Sequence, residues 1–382
     1  METTREKKRG IAAIFDLCPV RHGLTLLAAA VILLHLLTRG DHALNVQLSE
    51  RFVRPVHRRL SLLTARVPFS VAELLIVLAG VALIVYIIFD VYRLVLGKDR
   101  KKQVYIIFIT LLCFVSLVYA GFCVLWGVYY YGDDFAAQSG LETGQVSVED
   151  LRAVTAYFAD LANAYADRVP RGEDGVCRSD RAAILERSPM LYRQAEARFS
   201  CLRGPEIPVK GVFLSHLLSY TDFTGFFFPF TAEANVNTDF PQGFFASTVA
   251  HELAHQRGVA KEQEANFVAV LASLENGDAD YVYSACLLAY THLGNALYTV
   301  DLEGWRAIYE GLCPEVRADF AANRTYWQQF ETPVQTISST VYEGFLYSYD
   351  QDLGLRSYGA CVDLLVNYYR DAARAAQAKT ES

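Results

Sequence analysis

Residues 241–276 read PQGFFASTVAHELAHQRGVAKEQEANFVAVLASLEN, and the run His251-Glu252-Leu253-Ala254-His255 inside them decides how the rest of the chain is read. Histidines four residues apart lie one above the other on a single helical face. Both imidazoles can therefore reach one Zn2+ ion, at bond lengths of about 2.0–2.1 Å. Glu252 falls on the adjoining flank, where it can act on a water as a general base without being a ligand itself. Phe245, Val249 and Leu253 recur at i, i+4 and i+8. That spacing predicts a helix over 241–257 that packs through the face opposite the histidines. Asp239 is the expected N-cap, Pro241 suits the first turn, and Gly258 is placed to end the helix. Ala260–Leu274 predicts a second helix whose first turn offers Glu262 and Glu264 as third ligands. Two residues apart on a helix, these point about 200° apart, so only one can reach the metal. Glu262 and Asn266 stand at i and i+4, so the amide can support a ligand carboxylate or a histidine.

The first third of the chain is built for a bilayer. Of 382 residues 53% are hydrophobic, and residues 1–131 hold 16 Lys/Arg against 8 Asp/Glu, a balance of +8, so the net charge of −7 puts −15 on residues 132–382. Three apolar runs, at about 23–37, 70–92 and 104–131, predict three transmembrane helices. No small-residue cleavage site follows the first, so it reads as an uncleaved signal anchor. Ten Lys/Arg flank the N-terminus and the Arg93–Lys102 turn, against six in the 38–69 loop. The bias predicts a cytoplasmic N-terminus in the cell membrane, with 132–382 as one extracytoplasmic domain. Arg51, Arg54, Arg58 and Arg59 also fit an amphipathic helix on the membrane surface. Membrane lipid and a peptide or protein substrate are the expected partners. The acidic domain excludes nucleic acid, which needs a basic footprint.

Beyond Asp133 the pattern is that of a mainly α domain with a short edge strand or small sheet. Ser147 opens a capping box before Leu151, Val154, Phe158 and Leu161. Further helices are expected near 189–200, 280–299, 301–311 and 357–378. The uncharged run 281–300 reads as a buried helix, with a fourth span as the alternative. Gly225–Asn237 (GFFFPFTAEANVN) reads as extended, because Pro229 breaks a helix. Ala234 and Asn235 are the residues expected to pair with a substrate backbone. Cys177 and Cys201 lie in a polar region where an oxidising compartment could pair them. Candidate oxyanion donors are His216, His292, Tyr342, Arg356 and Tyr358.

HELAHQRG followed by EQEANFVAVLA resembles the gluzincin class of zinc peptidases, whose pattern is HExxH with a later ExxxD. The resemblance implies Glu262 as third ligand, with Asn266 in place of the aspartate, and a zincin-like domain. More narrowly, the chain resembles an uncharacterised family of bacterial membrane proteins with three N-terminal spans. The shared segments are PFT-x-EAN (Pro229–Asn235), HELAHQ-G (His251–Gly258) and SYG-x-x-VDLL (Ser357–Leu365). A membrane-anchored zinc metallopeptidase with Glu252 as general base is the reading these residues favour. A non-enzymatic receptor or assembly factor with a structural or sensory zinc site is one rival. A zinc amidohydrolase acting on cell-wall material is the other. Structural zinc sites are usually closed by four ligands, commonly cysteines, and no cysteine lies within 15 residues of either histidine.

Overall fold

The structure, a computed structural model, describes residues 15–97, 99–141, 144–349 and 359–380. It divides into two compact units, residues 1–53 with 72–132 and residues 54–71 with 133–382. Residues 54–71 thus group with the second unit. From Pro19 onward the described helices run α1 (Pro19–Thr38), α2 (His42–Leu48), α3 (Arg54–Thr64), α4 (Val71–Leu96) and α5 (Arg100–Leu125).

In the first unit, α1, α4 and α5 are long and apolar enough to cross a membrane. At 26 residues, α4 and α5 each reach about 39 Å, more than the roughly 30 Å of hydrocarbon. The third span ends earlier than expected. Trp126 leaves helical geometry, and Gly127–Tyr131 forms a 3-10 turn instead of extending α5. Two polar pairs join these helices: Asp90 Oδ1 accepts from Gln103 Nε2 at 2.6 Å, and His22 Nε2 meets Tyr105 Oη at 2.6 Å.

The second unit is helical. It holds α6 (Phe135–Ser139), α7 (Val148–Ala166), α8 (Arg181–Arg187), α9 (Arg193–Arg198), α10 (Ser215–Ser219), α11 (Phe245–Gln256), α12 (Glu262–Asn276), α13 (Ala279–Val300), α14 (Leu302–Glu310), α15 (Pro314–Gln328), α16 (Pro333–Ser348) and α17 (Gly359–Thr380). Ser147 Oγ caps α7 by accepting from Asp150 N at 3.0 Å, as the capping box predicts. Residues 281–300 are not among the candidate spans. They form α13, whose Tyr281, Ala285, Leu287, Leu293 and Leu297 are buried in the core. The segment 189–200 is broken into α9 between two 3-10 turns. Helices α15 and α16 are absent from the sequence reading. The Thr336-Ile337-Ser338-Ser339-Thr340-Val341 run of α16 is poor in strong helix formers, so tertiary packing overrides local propensity there. None of the eight cysteines is in a disulfide, and Cys177 Sγ meets Ser179 Oγ at 3.2 Å rather than Cys201.

A three-stranded sheet has the order β1-β3-β2 for β1 (Lys210–Val212), β2 (Gly225–Phe228) and β3 (Glu233–Asn237). β3 runs parallel to β1 and antiparallel to β2, with Gly225 opposite Val236 and Phe228 opposite Glu233. The E-A-N-V-N alternation puts Ala234 and Val236 on the core face, and β3 is buried on both faces. Its polar face is covered by the segment that leads into α4. Lys210 Nζ donates to Glu233 Oε1 at 2.5 Å and to Thr64 O at 2.8 Å. Val71 N donates to Glu233 Oε1 at 3.1 Å, and Ser70 Oγ to Asn235 Oδ1 at 2.6 Å.

Removing one partner of a buried ion pair leaves an uncompensated charge. Glu233→Ala is expected to destabilise the second unit by about 3–5 kcal/mol. Lys210→Met combined with Glu233→Leu is expected to lose less, because no charge is stranded. Denaturant unfolding in detergent, read by circular dichroism, checks both.

Candidate functional site

Helix α11 carries His251, Glu252 and His255, and its buried Phe245, Val249 and Leu253 hold it in the core as the i, i+4, i+8 row predicts. Its start differs from the expected one. Gln242–Phe244 forms a 3-10 turn, and Asp239 does not cap the helix but accepts from His216 Nδ1 at 2.7 Å and Tyr326 Oη at 3.1 Å. Its end is a Schellman turn. Gly258 takes φ +88°, its N–H donates to His255 O at 2.9 Å, and Val259 N donates to Ala254 O at 3.1 Å.

That turn returns the chain so that the first residue of α12, Glu262, meets both histidines. His251 Nε2 lies 3.1 Å from Glu262 Oε2, and His255 Nε2 lies 3.6 Å from Oε1. A tetrahedral ion with bonds of about 2.0–2.1 Å separates its ligands by about 3.3 Å, so this spacing fits one metal ion. All three ligand atoms lie within 4.8 Å of one another. The outer nitrogens fix the tautomers: His255 Nδ1 donates to Val259 O at 2.7 Å, and His251 Nδ1 to Asn266 Oδ1 at 2.8 Å. Both Nε2 atoms face Glu262 and, in the neutral rings, are the nitrogens left to bind a metal.

Of the two candidate glutamates only Glu262 joins the cluster. The Glu264 carboxylate accepts from Phe135 N at 2.9 Å and Ala136 N at 3.4 Å, at the start of α6. Asn266 supports a histidine, one of the two roles open to it. Burial pushes the Glu262 carboxyl up, but His255 and His251 outweigh it and hold the group well below the usual carboxylate range. Burial favours the neutral His255 ring, yet Glu262 and Glu252 beside it raise its pKa to about 9.

Glu252 is 3% exposed, and burial raises its carboxyl to about 7 against the pull of His251 and His255. Its Oε2 is buried with no hydrogen-bond partner among the described residues. Gly225, at the start of β2, lies against this carboxylate. A Cβ there would stand 2.6 Å from Glu252 Oε1, so only glycine leaves the carboxylate its space.

Ala234 and Asn235, the expected substrate-pairing residues, sit in the central strand, and both its edges are already paired. β1 and β2 are the edge strands of the sheet, and of these β2 is the one that lies against Glu252. Of the candidate oxyanion donors, Tyr342 reaches the cluster: its hydroxyl donates to Glu262 Oε1 at 2.6 Å. Helix α16 is held there by Ser338 Oγ donating to Thr221 O at 3.1 Å and by the Tyr342–Phe223 ring contact at 5.1 Å. His292 lies close enough to His251 that burial first, and that ring second, lower its pKa to about 4. His216 is engaged with Asp239, while Arg356 and Tyr358 lie outside the described residues.

Fold and site together define a membrane-anchored, mainly helical protein with a His-His-Glu cluster and an adjoining buried glutamate. Residues 49–366 match the family described as "Protein of unknown function (DUF3810)", and the chain belongs to that family. No curated protein and no solved structure matches it.

Titration with Co2+ or Zn2+ distinguishes the two glutamates. Wild-type protein and Glu264→Ala are expected to bind one equivalent, and Glu262→Ala none, as read by cobalt absorbance and by mass spectrometry of retained metal.

Proposed function

We propose that the second unit is a zinc-dependent hydrolase, and specifically a metallopeptidase, with His251, His255 and Glu262 as metal ligands and Glu252 as general base. The observation that carries this is the convergence of both imidazole Nε2 atoms on Glu262 beside a buried carboxylate with an unpartnered oxygen. Bound zinc supplies Lewis acidity, polarising a carbonyl and making a water acidic enough to lose its proton near neutral pH. Glu252 takes that proton as the water attacks and passes it to the departing amine nitrogen. Tyr342 Oη, already a donor inside the cluster, donates to the oxyanion that develops on the carbonyl oxygen. β2, the edge strand against Glu252, binds substrate by backbone pairing, which selects an extended peptide.

Glu252→Gln keeps the side chain's size and removes the base. It is expected to retain zinc and lose about 10²–10⁴-fold of turnover. Tyr342→Phe is expected to retain zinc and lose about 10²–10³-fold. A peptide-library digest read by mass spectrometry, with metal analysis of each variant, checks both. Full activity in Glu252→Gln would rule out the mechanism.

The same proposal puts the N-terminus in the cytoplasm and the second unit outside, on the ten-against-six bias of basic residues. Alkaline phosphatase fused after Ser382 is expected to be active, and a reporter that works only in the cytoplasm is expected to be silent there.

A further inference from the structure

Helix α11 meets the β2–β3 hairpin at two points one helical turn apart. The first is Glu252, whose carboxylate lies against Gly225 at the start of β2. The second is Gln256, the last residue of α11. At i and i+4, the two side chains leave the same face of the helix. Gln256 is 8% exposed, and its Nε2 donates to Ala232 O at 3.2 Å. Ala232 ends the turn that joins the strands, one residue before β3. The hairpin is therefore gripped at both ends of β2, by a close approach at Gly225 and by a hydrogen bond at the turn.

The turn needs that grip. Ala232 has φ +52° and is fully buried. A residue with a Cβ is sterically crowded in this left-handed region and stays there only where its surroundings hold it. Three hydrogen bonds do so. Thr231 N donates to Phe228 O at 3.1 Å, Thr64 Oγ1 to Thr231 O at 3.4 Å, and Gln256 Nε2 to Ala232 O. Of the three, the last alone comes from the helix that carries His251, Glu252 and His255. A buried amide is costly unless it is bonded, and methionine would fill the space without that cost. Gln256 Oε1 has no partner among the described residues, so the bond to Ala232 is what offsets the burial. The histidines do not depend on this bond, because their Nδ1 atoms are held by Val259 O and Asn266 Oδ1.

Resting on the hydrolase reading of Glu252, we infer that Gln256 is a positioning residue for that carboxylate. Its bond to the Ala232 carbonyl sets the register of α11 against the hairpin. The hairpin, through Gly225, sets where the Glu252 carboxylate stands. Without the amide donor Ala232 relaxes out of the left-handed region and β2 shifts. The carboxylate then loses its fixed position while the metal ligands keep theirs. A misplacement of about 1 Å is enough to cost on the order of 10²-fold in rate.

Gln256→Met keeps the length of the side chain and removes the donor, and it is tested in the full-length, zinc-loaded protein. Against the most readily cleaved peptide of a random library, kcat is expected to fall about 10²-fold with zinc retained. Two further variants separate positioning from a merely structural role. In Glu252→Gln protein, adding Gln256→Met is expected to change the residual turnover by less than about threefold, because the group it positions is already gone. Glycine adopts the left-handed conformation without strain, so Ala232→Gly added to Gln256→Met is expected to recover at least about tenfold of the loss. Losses that multiply in the Glu252→Gln background, loss of zinc from Gln256→Met, or no recovery with Ala232→Gly would each overturn the inference. Hydrogen exchange reads the same clamp without turnover. Amides of 225–237 are expected to exchange about tenfold faster in Gln256→Met, with those of 245–258 unchanged. Unchanged exchange in the hairpin would overturn the clamp. Faster exchange there, with no cleavage of any library by wild-type protein, would overturn the hydrolase reading and leave the clamp standing.

Discussion

At the end of α11 the backbone turns left-handed at Gly258, φ +88°, and α12 begins at Glu262. A residue with a side chain pays about 1–2 kcal/mol for that conformation, and a wider reversal would carry Glu262 past the histidines. The same turn supplies Val259 O, the acceptor that fixes the His255 tautomer. Asn266, one turn into α12, does the equivalent for His251. One tight reversal thus delivers a carboxylate to the inner nitrogens of the two imidazoles and acceptors to the outer ones. The Nε2 atoms converge because the Nδ1 hydrogens are held elsewhere.

Glu252 depends on a second constraint, the close approach of β2. The missing side chain at Gly225 lets the strand lie against the carboxylate. β2 is held in turn by β3, whose polar face is saturated by Lys210, Ser70, Ser219 and the Val71 backbone. A strand with glutamate and two asparagines facing inward is costly unless every group is bonded. Here two of the bonds, from Ser70 Oγ and Val71 N, come from chain on its way to a membrane-crossing helix. The interactions that pay for burying these groups therefore also tie the site's edge strand to the start of α4.

Much of this was legible in the sequence because it rests on local periodicity. The i, i+4 histidines, the glycine stop, the apolar row Phe245–Val249–Leu253 and the three long apolar runs are all set by residues within a turn or two of one another. The readings that failed needed partners from far along the chain. Asp239 looks like a cap until His216 and Tyr326 are seen to claim it. Ala234 and Asn235 look like an edge because strand order is invisible in sequence; β1, more than twenty residues earlier, covers the side they would need. α16 was missed because its Ser, Thr and β-branched residues carry no helical signal of their own.

By itself the sequence determined the membrane-crossing segments, the helical character of the second unit, and the residues His251, Glu252 and His255 as a group on one helix. It narrowed the third member of the cluster to Glu262 or Glu264 and, by spacing alone, could not choose. Tertiary structure made the choice: the α6 backbone takes Glu264, and the Gly258 turn brings Glu262 to the imidazoles. It also brought Tyr342 to Glu262 from eighty residues away, and it put β1 and β2, not β3, at the edges of the sheet. The physical reason is the same in each case. Helical spacing is fixed by hydrogen bonds between near neighbours in the chain, whereas which face meets which, and which edge stays open, is decided by burial across distances that no local pattern encodes.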